Sequence, residues 1–136
     1  MSTGFPLDPR LAADSAFIAD GPLSQVRLMD DTRFPWLLLV PRVDGAVEWI
    51  DLDGGQQRLL LAELNQASQL LRAEPGVEKV NIGALGNIVR QLHVHLVGRH
   101  AGDAAWPGPV WGSGTAVRHA PDALAARAAL WRSRLG

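Results

Sequence analysis

The nine residues Gln91-Leu92-His93-Val94-His95-Leu96-Val97-Gly98-Arg99 are where this chain can do chemistry. In an extended strand side chains alternate between faces, so Gln91, His93 and His95 share one face and Leu92, Val94 and Leu96 the other. The apolar set reads as core. The polar set is a row of hydrogen-bonding groups spaced about 6.6 Å apart. Two imidazoles on one rigid, half-buried surface fit three readings. Each ring is satisfied by a neighbour in the core, or the pair chelates zinc, or one ring attacks a phosphate ester. Zinc requires a third ligand, and His100, His119 and Asp103 are the nearby candidates in a chain without cysteine. The third reading draws on the nucleophilicity of neutral imidazole near pH 7 and on a covalent intermediate that divides one hard displacement into two easier ones.

The elements around this row follow from spacing and end signals. Asp8-Pro9 is a helix start, an acidic cap before proline at the first helical position, and predicts a short helix ending near Ala16 to Ala19. Gly21-Pro22 is a turn, residues 23–29 read as a strand with Val26 and Leu28 inward, and residues 34–40 as a second, largely buried strand. Between them, residues 30–33 form a loop, and Asp30 by itself reads as a solvated turn acid. Residues 41–51 are irregular. Asp53, with Gln56 three residues on, opens the longest helix, which runs to about Arg72 with a stripe of Leu60, Leu64, Ala67 and Leu71. Pro75-Gly76 ends it. Residues 77–84 and 92–97 are the third and fourth strands, and residues 100–114 are rich in proline and glycine. A C-terminal helix begins near Pro121 with the stripe Leu124, Ala128, Trp131 and Leu135. Short strand-to-strand connections with interspersed helices predict an antiparallel α+β domain spanning residues 1–136.

Composition narrows the function classes. Against 13 Lys+Arg stand 14 Asp+Glu, a net charge of −1 without a basic stripe, which argues against extended nucleic-acid binding. Residues 1–10 lack the charged start and apolar run of a secretory signal, and the longest apolar run, around residues 36–40, is too short to cross a bilayer. A soluble, cytoplasmic protein is the expectation. Trp106 and Trp111 bracket one irregular loop, an uncommon place for two of the five tryptophans. Arg99 and the other arginines read as solvated.

The run from Gln91 to Val97 resembles the signature of the histidine-triad (HIT) family, His-φ-His-φ-His-φ-φ with φ apolar, matching everywhere except the first position. The likeness extends over nearly the whole chain. The strands either side of residues 30–33, Leu39-Val40-Pro41, the long helix, the strand to Ala84 and the turn at Gly86 all fall in family order. Trp106-Pro107-Gly108-Pro109 is similar to the Trp-Pro-Pro-Gly element of the nucleoside phosphoramidase branch. The resemblance implies a HIT-like sheet of about five strands with one long helix, a short N-terminal helix and a C-terminal helix. It implies a hydrolase or nucleotidyl transferase in which His93 attacks the α-phosphorus of a nucleotide derivative, a phosphoramidate or a dinucleoside polyphosphate. His95 would stabilise phosphoryl charge or the leaving group, and Gln91 would keep a supporting role without carrying a proton. A backbone carbonyl should fix the tautomer of His93.

By the same resemblance Gly86 contacts the α-phosphate, with Asn87 replacing a hydroxyl lost at Ile88. Asp30 binds ribose hydroxyls, Asn81 lies in the substrate site as an alternative to a satisfied buried amide, and Trp106 reaches the site of a neighbouring subunit. Relatives form homodimers through a sheet edge and their long helices, and the succession Leu59-Leu60-Leu61 offers apolar surface for that. No resident cofactor is implied, although a divalent cation would accompany polyphosphate substrates. A nucleotide-binding module without catalysis, its first histidine lost, is the alternative.

Overall fold

The structure, a computed structural model, describes residues 4–136; the first three residues of the stretch read as lacking a leader lie outside the described residues. Nine elements follow in order: α1 (Pro9–Asp14), β1 (Ser15–Asp20), β2 (Ser24–Met29), β3 (Trp36–Pro41), a 3-10 turn (Trp49–Asp51), α2 (Gly54–Ala73), β4 (Lys79–Gly83), β5 (Val94–Arg99) and α3 (Pro121–Leu135). The strands form one antiparallel sheet in the order β1-β2-β3-β5-β4, an α+β architecture. Among the described residues no helix is long and apolar enough to cross a membrane.

The first helix is shorter than its sequence suggests. It stops at Asp14, and the residues expected to continue it form β1, paired with β2 from Ser15 opposite Met29 to Asp20 opposite Gln25. Ser15 is extended, at φ −149° and ψ 165°, and its hydroxyl donates to the Leu11 carbonyl, closing the last helical turn. Phe17 and Ile18 favour a pleated surface, and Ile18 is fully buried there. Pairing with β2 therefore outweighs the helical start before it. The long helix begins as its pattern requires. The Asp53 carboxylate accepts from the Gln56 amide at 2.8 Å, while the Gln56 side chain accepts from the Asp53 amide at 2.9 Å.

Burial divides the sheet into two faces. Under α2 and α3, Ile18, Leu28, Leu37, Leu39, Val94 and Leu96 pack against Leu60, Ala67, Leu71, Ala128 and Trp131. Each buried leucine, isoleucine or valine among them contributes about 1.5–3 kcal/mol relative to exposure. Glu63 is the exception in the α2 stripe. It is buried because its Oε2 accepts from the Leu23 and Ser24 amides, at 3.0 Å each, which no strand neighbour satisfies. On the opposite face Trp36, Leu38, Val40 and Val97 pack with Leu11, Phe34 and Val110. β3 is buried along its whole length because both faces are covered.

Candidate active site

Strand β5 begins at Val94, so His93 stands one residue ahead of it and His95 is the second residue within it. Register places His95 opposite Leu38 of β3 and opposite Gly83 of β4. The two imidazole centroids are 5.0 Å apart with the rings at 66°. Both rings are more than nine-tenths buried, yet both border one cavity of about 620 Å³. The turn Gly86-Asn87 borders the same cavity, as do Trp36 and Trp111.

Hydrogen bonds set opposite tautomers on the two histidines. His93 Nδ1 lies 2.7 Å from the Gln91 carbonyl, which can only accept; Nδ1 therefore carries the proton and Nε2 the lone pair. Trp36 Nε1, which can only donate, lies 3.0 Å from His95 Nδ1. In His95 the lone pair is therefore on Nδ1 and the proton on Nε2. Burial, with the charge of neighbouring His93 adding to it, pushes the His95 pKa down to about 3. Protonating Nδ1 would also break the Trp36 bond. His95 is thus a neutral hydrogen-bond donor at neutral pH. The indole of Trp111 meets its ring edge-on, with centroids 5.5 Å apart, and Trp36 lies on another side at 5.6 Å.

The polar row of Gln91, His93 and His95 does not hold together as alternation suggests. Gln91 precedes the strand, and its amide turns toward the N-terminal segment. There Oε1 accepts from the Asp8 amide and Nε2 donates to the Pro6 carbonyl, both at 2.8 Å. Gly86 has φ +70°, a conformation that suits glycine, and Asn87 is exposed beside it at the cavity. The amides of Gly86, Asn87, Ile88 and Val89 donate to no protein acceptor among the described residues.

Asp30 borders the cavity but is not a solvated turn acid. It is 7% exposed, and its Oδ1 accepts from both the amide and Nδ1 of His119 at 2.8 Å, while Arg118 reaches Oδ2 at 3.1 Å. Burial alone would raise its pKa; the His119 bonds and the Arg118 charge outweigh that and hold the carboxyl below the usual range. Asn81 and Trp106 do not border the cavity. Asn81 accepts from Arg99 at 2.9 Å, and the Arg99 guanidinium lies 5.7 Å from the Trp106 ring centre. Arg99 is not solvated either. It is 1% exposed, donates twice to Asp103 at 2.7 and 2.8 Å, and donates to the Gly108 carbonyl at 2.9 Å. Those bonds hold the Asp103 carboxyl well below its usual range. With Asp103 on Arg99 and His119 on Asp30, neither joins the two strand histidines. Among the described residues no group of three His, Cys, Asp or Glu side chains is placed to hold a metal ion.

Trp36, Trp111, Arg118 and His119 complete the site; of these, sequence named His119 only as a possible zinc ligand and Trp111 only as an unusual loop tryptophan. Trp36 had a signal, since alternation along β3 puts it on the face of Leu38, the register partner of His95. The pairing of Arg118 and His119 with Asp30 had none, because Asp30 lies almost ninety residues earlier.

Comparison with known proteins bears on the family and the fold. The pattern that defines the HIT domain matches residues 10–102. A histidine triad protein from Bradyrhizobium japonicum superimposes with a TM-score of 0.91 at 44% identity, covering 97% of this chain and 98% of its own. A histidine triad (HIT) protein from Sinorhizobium meliloti gives 0.89 at 45% identity, covering 98% and 96%. The NitFhit protein of C. elegans shares the fold alone, with a TM-score of 0.66 at 19% identity over 88% of this chain and 27% of that one. No curated protein matches. The chain belongs to the histidine triad family.

Proposed function

We propose that the cavity binds a nucleotide derivative and that His93 attacks its α-phosphorus. The observation that carries this reading is the pair of opposite tautomers, a lone pair on His93 Nε2 and a proton on His95 Nε2, within one cavity. A bond forms between His93 Nε2 and phosphorus as the bond to the leaving group breaks, and the leaving group departs with the electron pair. Water then cleaves the phosphorus–nitrogen bond, releases the nucleoside monophosphate and restores His93. His95 donates to a phosphoryl oxygen throughout and keeps its proton. The unpartnered amides around Gly86 and Asn87 bind the α-phosphate oxygens. Gln91 takes no part in proton transfer, since both ends of its amide are committed to backbone groups. Asp30 binds ribose only by exchanging its bonds to His119 and Arg118. Asn81 and Trp106 serve structure within this chain, and Trp106 is free to reach a second copy. No resident cofactor enters the scheme, and a divalent cation accompanies a polyphosphate substrate.

A homodimer in the cytoplasm is part of the same reading. Ile82 on edge strand β4 is 51% exposed, and Trp49, Ile50 and Leu61 are exposed as well. Ile82→Glu should shift the sedimentation coefficient from dimer to monomer.

Brief exposure to adenosine nucleotides followed by mass spectrometry tests the chemistry. An adduct on His93 is expected, with turnover reduced by about 10⁴-fold or more in His93→Ala. Binding by calorimetry without adduct or turnover would replace the enzyme with a binding module, a reading favoured by the glutamine at position 91.

A further inference from the structure

Three arginines border the cavity, and they differ in what neutralises them. Arg33 is paired with Asp31 at 2.8 Å, and Arg118 is shared between Asp14 and Asp30 at 2.8 and 3.1 Å. Arg10 makes no ion pair among the described residues. The residue is exposed, and among the described residues its side chain makes one hydrogen bond, a long one from Nη1 to the Ile88 carbonyl at 3.4 Å. That bond sets a cation outside any ion pair against a cavity-lining turn whose amides have no protein acceptor among the described residues.

The placement of Arg10 has a cause in Gln91. The two bonds from its amide fasten residues 6 and 8 immediately before α1, and Arg10 is the second residue of that helix. An amide presents donor and acceptor side by side on one carbon, which suits a carbonyl and an N–H two residues apart. The two nitrogens of an imidazole point away from each other.

The leaving group is constrained independently. Neither neighbour of His93 is an acid at neutral pH: Gln91 has no titrating proton, and His95 is neutral with its Nδ1 occupied by Trp36. A group that departs as a stable anion, such as phosphate, needs no proton from the site. An amine does.

We infer that Gln91 and Arg10 form a subsite for the phosphate beyond the reacting one, Gln91 positioning and Arg10 binding, so that the substrate is a nucleoside polyphosphate or dinucleoside polyphosphate and not a phosphoramidate. This rests on the nucleotide reading above.

Calorimetry with AMP and ADP in metal-free buffer tests it, with thermal melts to confirm that each variant is folded. Wild type should bind ADP about tenfold tighter than AMP. Arg10→Ala should leave AMP affinity within about twofold while abolishing the ADP advantage, and Arg10→Lys should restore part of it. Gln91→Ala should lose the advantage as Arg10→Ala does. In wild type the ADP advantage should shrink as salt rises. Equal affinity of wild type for AMP and ADP, or a loss in Arg10→Ala that is the same for both ligands, would overturn the subsite and leave nucleotide binding standing. An ADP advantage that survives in Gln91→Ala would overturn the positioning role. Binding of neither nucleotide by folded wild type would remove the nucleotide reading itself and the subsite with it.

Discussion

On the face packed by α2 and α3, strands β3 and β5 present Leu37, Leu39, Val94 and Leu96. On the other face the same two strands present Trp36, Leu38, His95, Val97 and Arg99. The first face is held by area removed from water, and almost any well-fitting apolar set would serve. The second also buries His95 and Arg99, and each of these has a specific partner, Trp36 for the first and Asp103 for the second. The comparison teaches that one face can drift in sequence while the other is tied to named pairs, and the cavity with its two histidines sits on the tied face.

Breaking a pair should therefore cost at least as much as opening a cavity. Asp103→Ala leaves the buried Arg99 guanidinium without its carboxylate and should destabilise the protein by about 3–5 kcal/mol in urea denaturation. On the apolar face Leu96→Ala should cost about 2–4 kcal/mol by the same measurement. Replacing both Arg99 and Asp103 by apolar residues of similar volume should cost less than removing Asp103 alone, a result that no cavity on the other face would mimic.

The pH response sharpens the contrast further. With the folded pKa of His95 at about 3 and the unfolded value near 6.5, the unfolded chain binds more protons between those values. Stability attributable to His95 is complete above about pH 6.5 and is lost as pH falls, by about 2 kcal/mol at pH 5. His95→Gln should flatten the stability profile between pH 6.5 and 5, and Leu96→Ala should shift the profile without changing its slope. The smallest effect is expected from Trp36→Phe. It removes the donor to His95 Nδ1, lets that nitrogen accept a proton more readily and makes the acid slope shallower, read by thermal melts across the same range.

How much of this was legible in the sequence differs between the two faces in the same way. The stripes of α2 and α3 and the inward residues of β5 follow from periodicity, a local property. The alternation that put His93 and His95 on one face was legible too, as was a carbonyl on His93 Nδ1. Polar partnerships were not, because they join residues that only the folded topology brings together. Arg99 looked like a surface arginine until Asn81 of the neighbouring strand and the turn at Asp103 closed around it. Asp30 looked solvated because His119 lies far along the chain. The end of α1 is not legible locally, because the partner that converts Ser15–Asp20 into a strand is β2, not any residue beside it.

The pattern that defines the domain spans residues 10–102, and the cavity outgrows it. Asp8 and Pro6 fasten Gln91 from before that region, and Trp111, Arg118 and His119 close in from after it. The walls of the cavity therefore depend on residues that the domain pattern does not include. Exchanging the two flanks would reshape the walls of the cavity while leaving His93 and His95 on the sheet where they are.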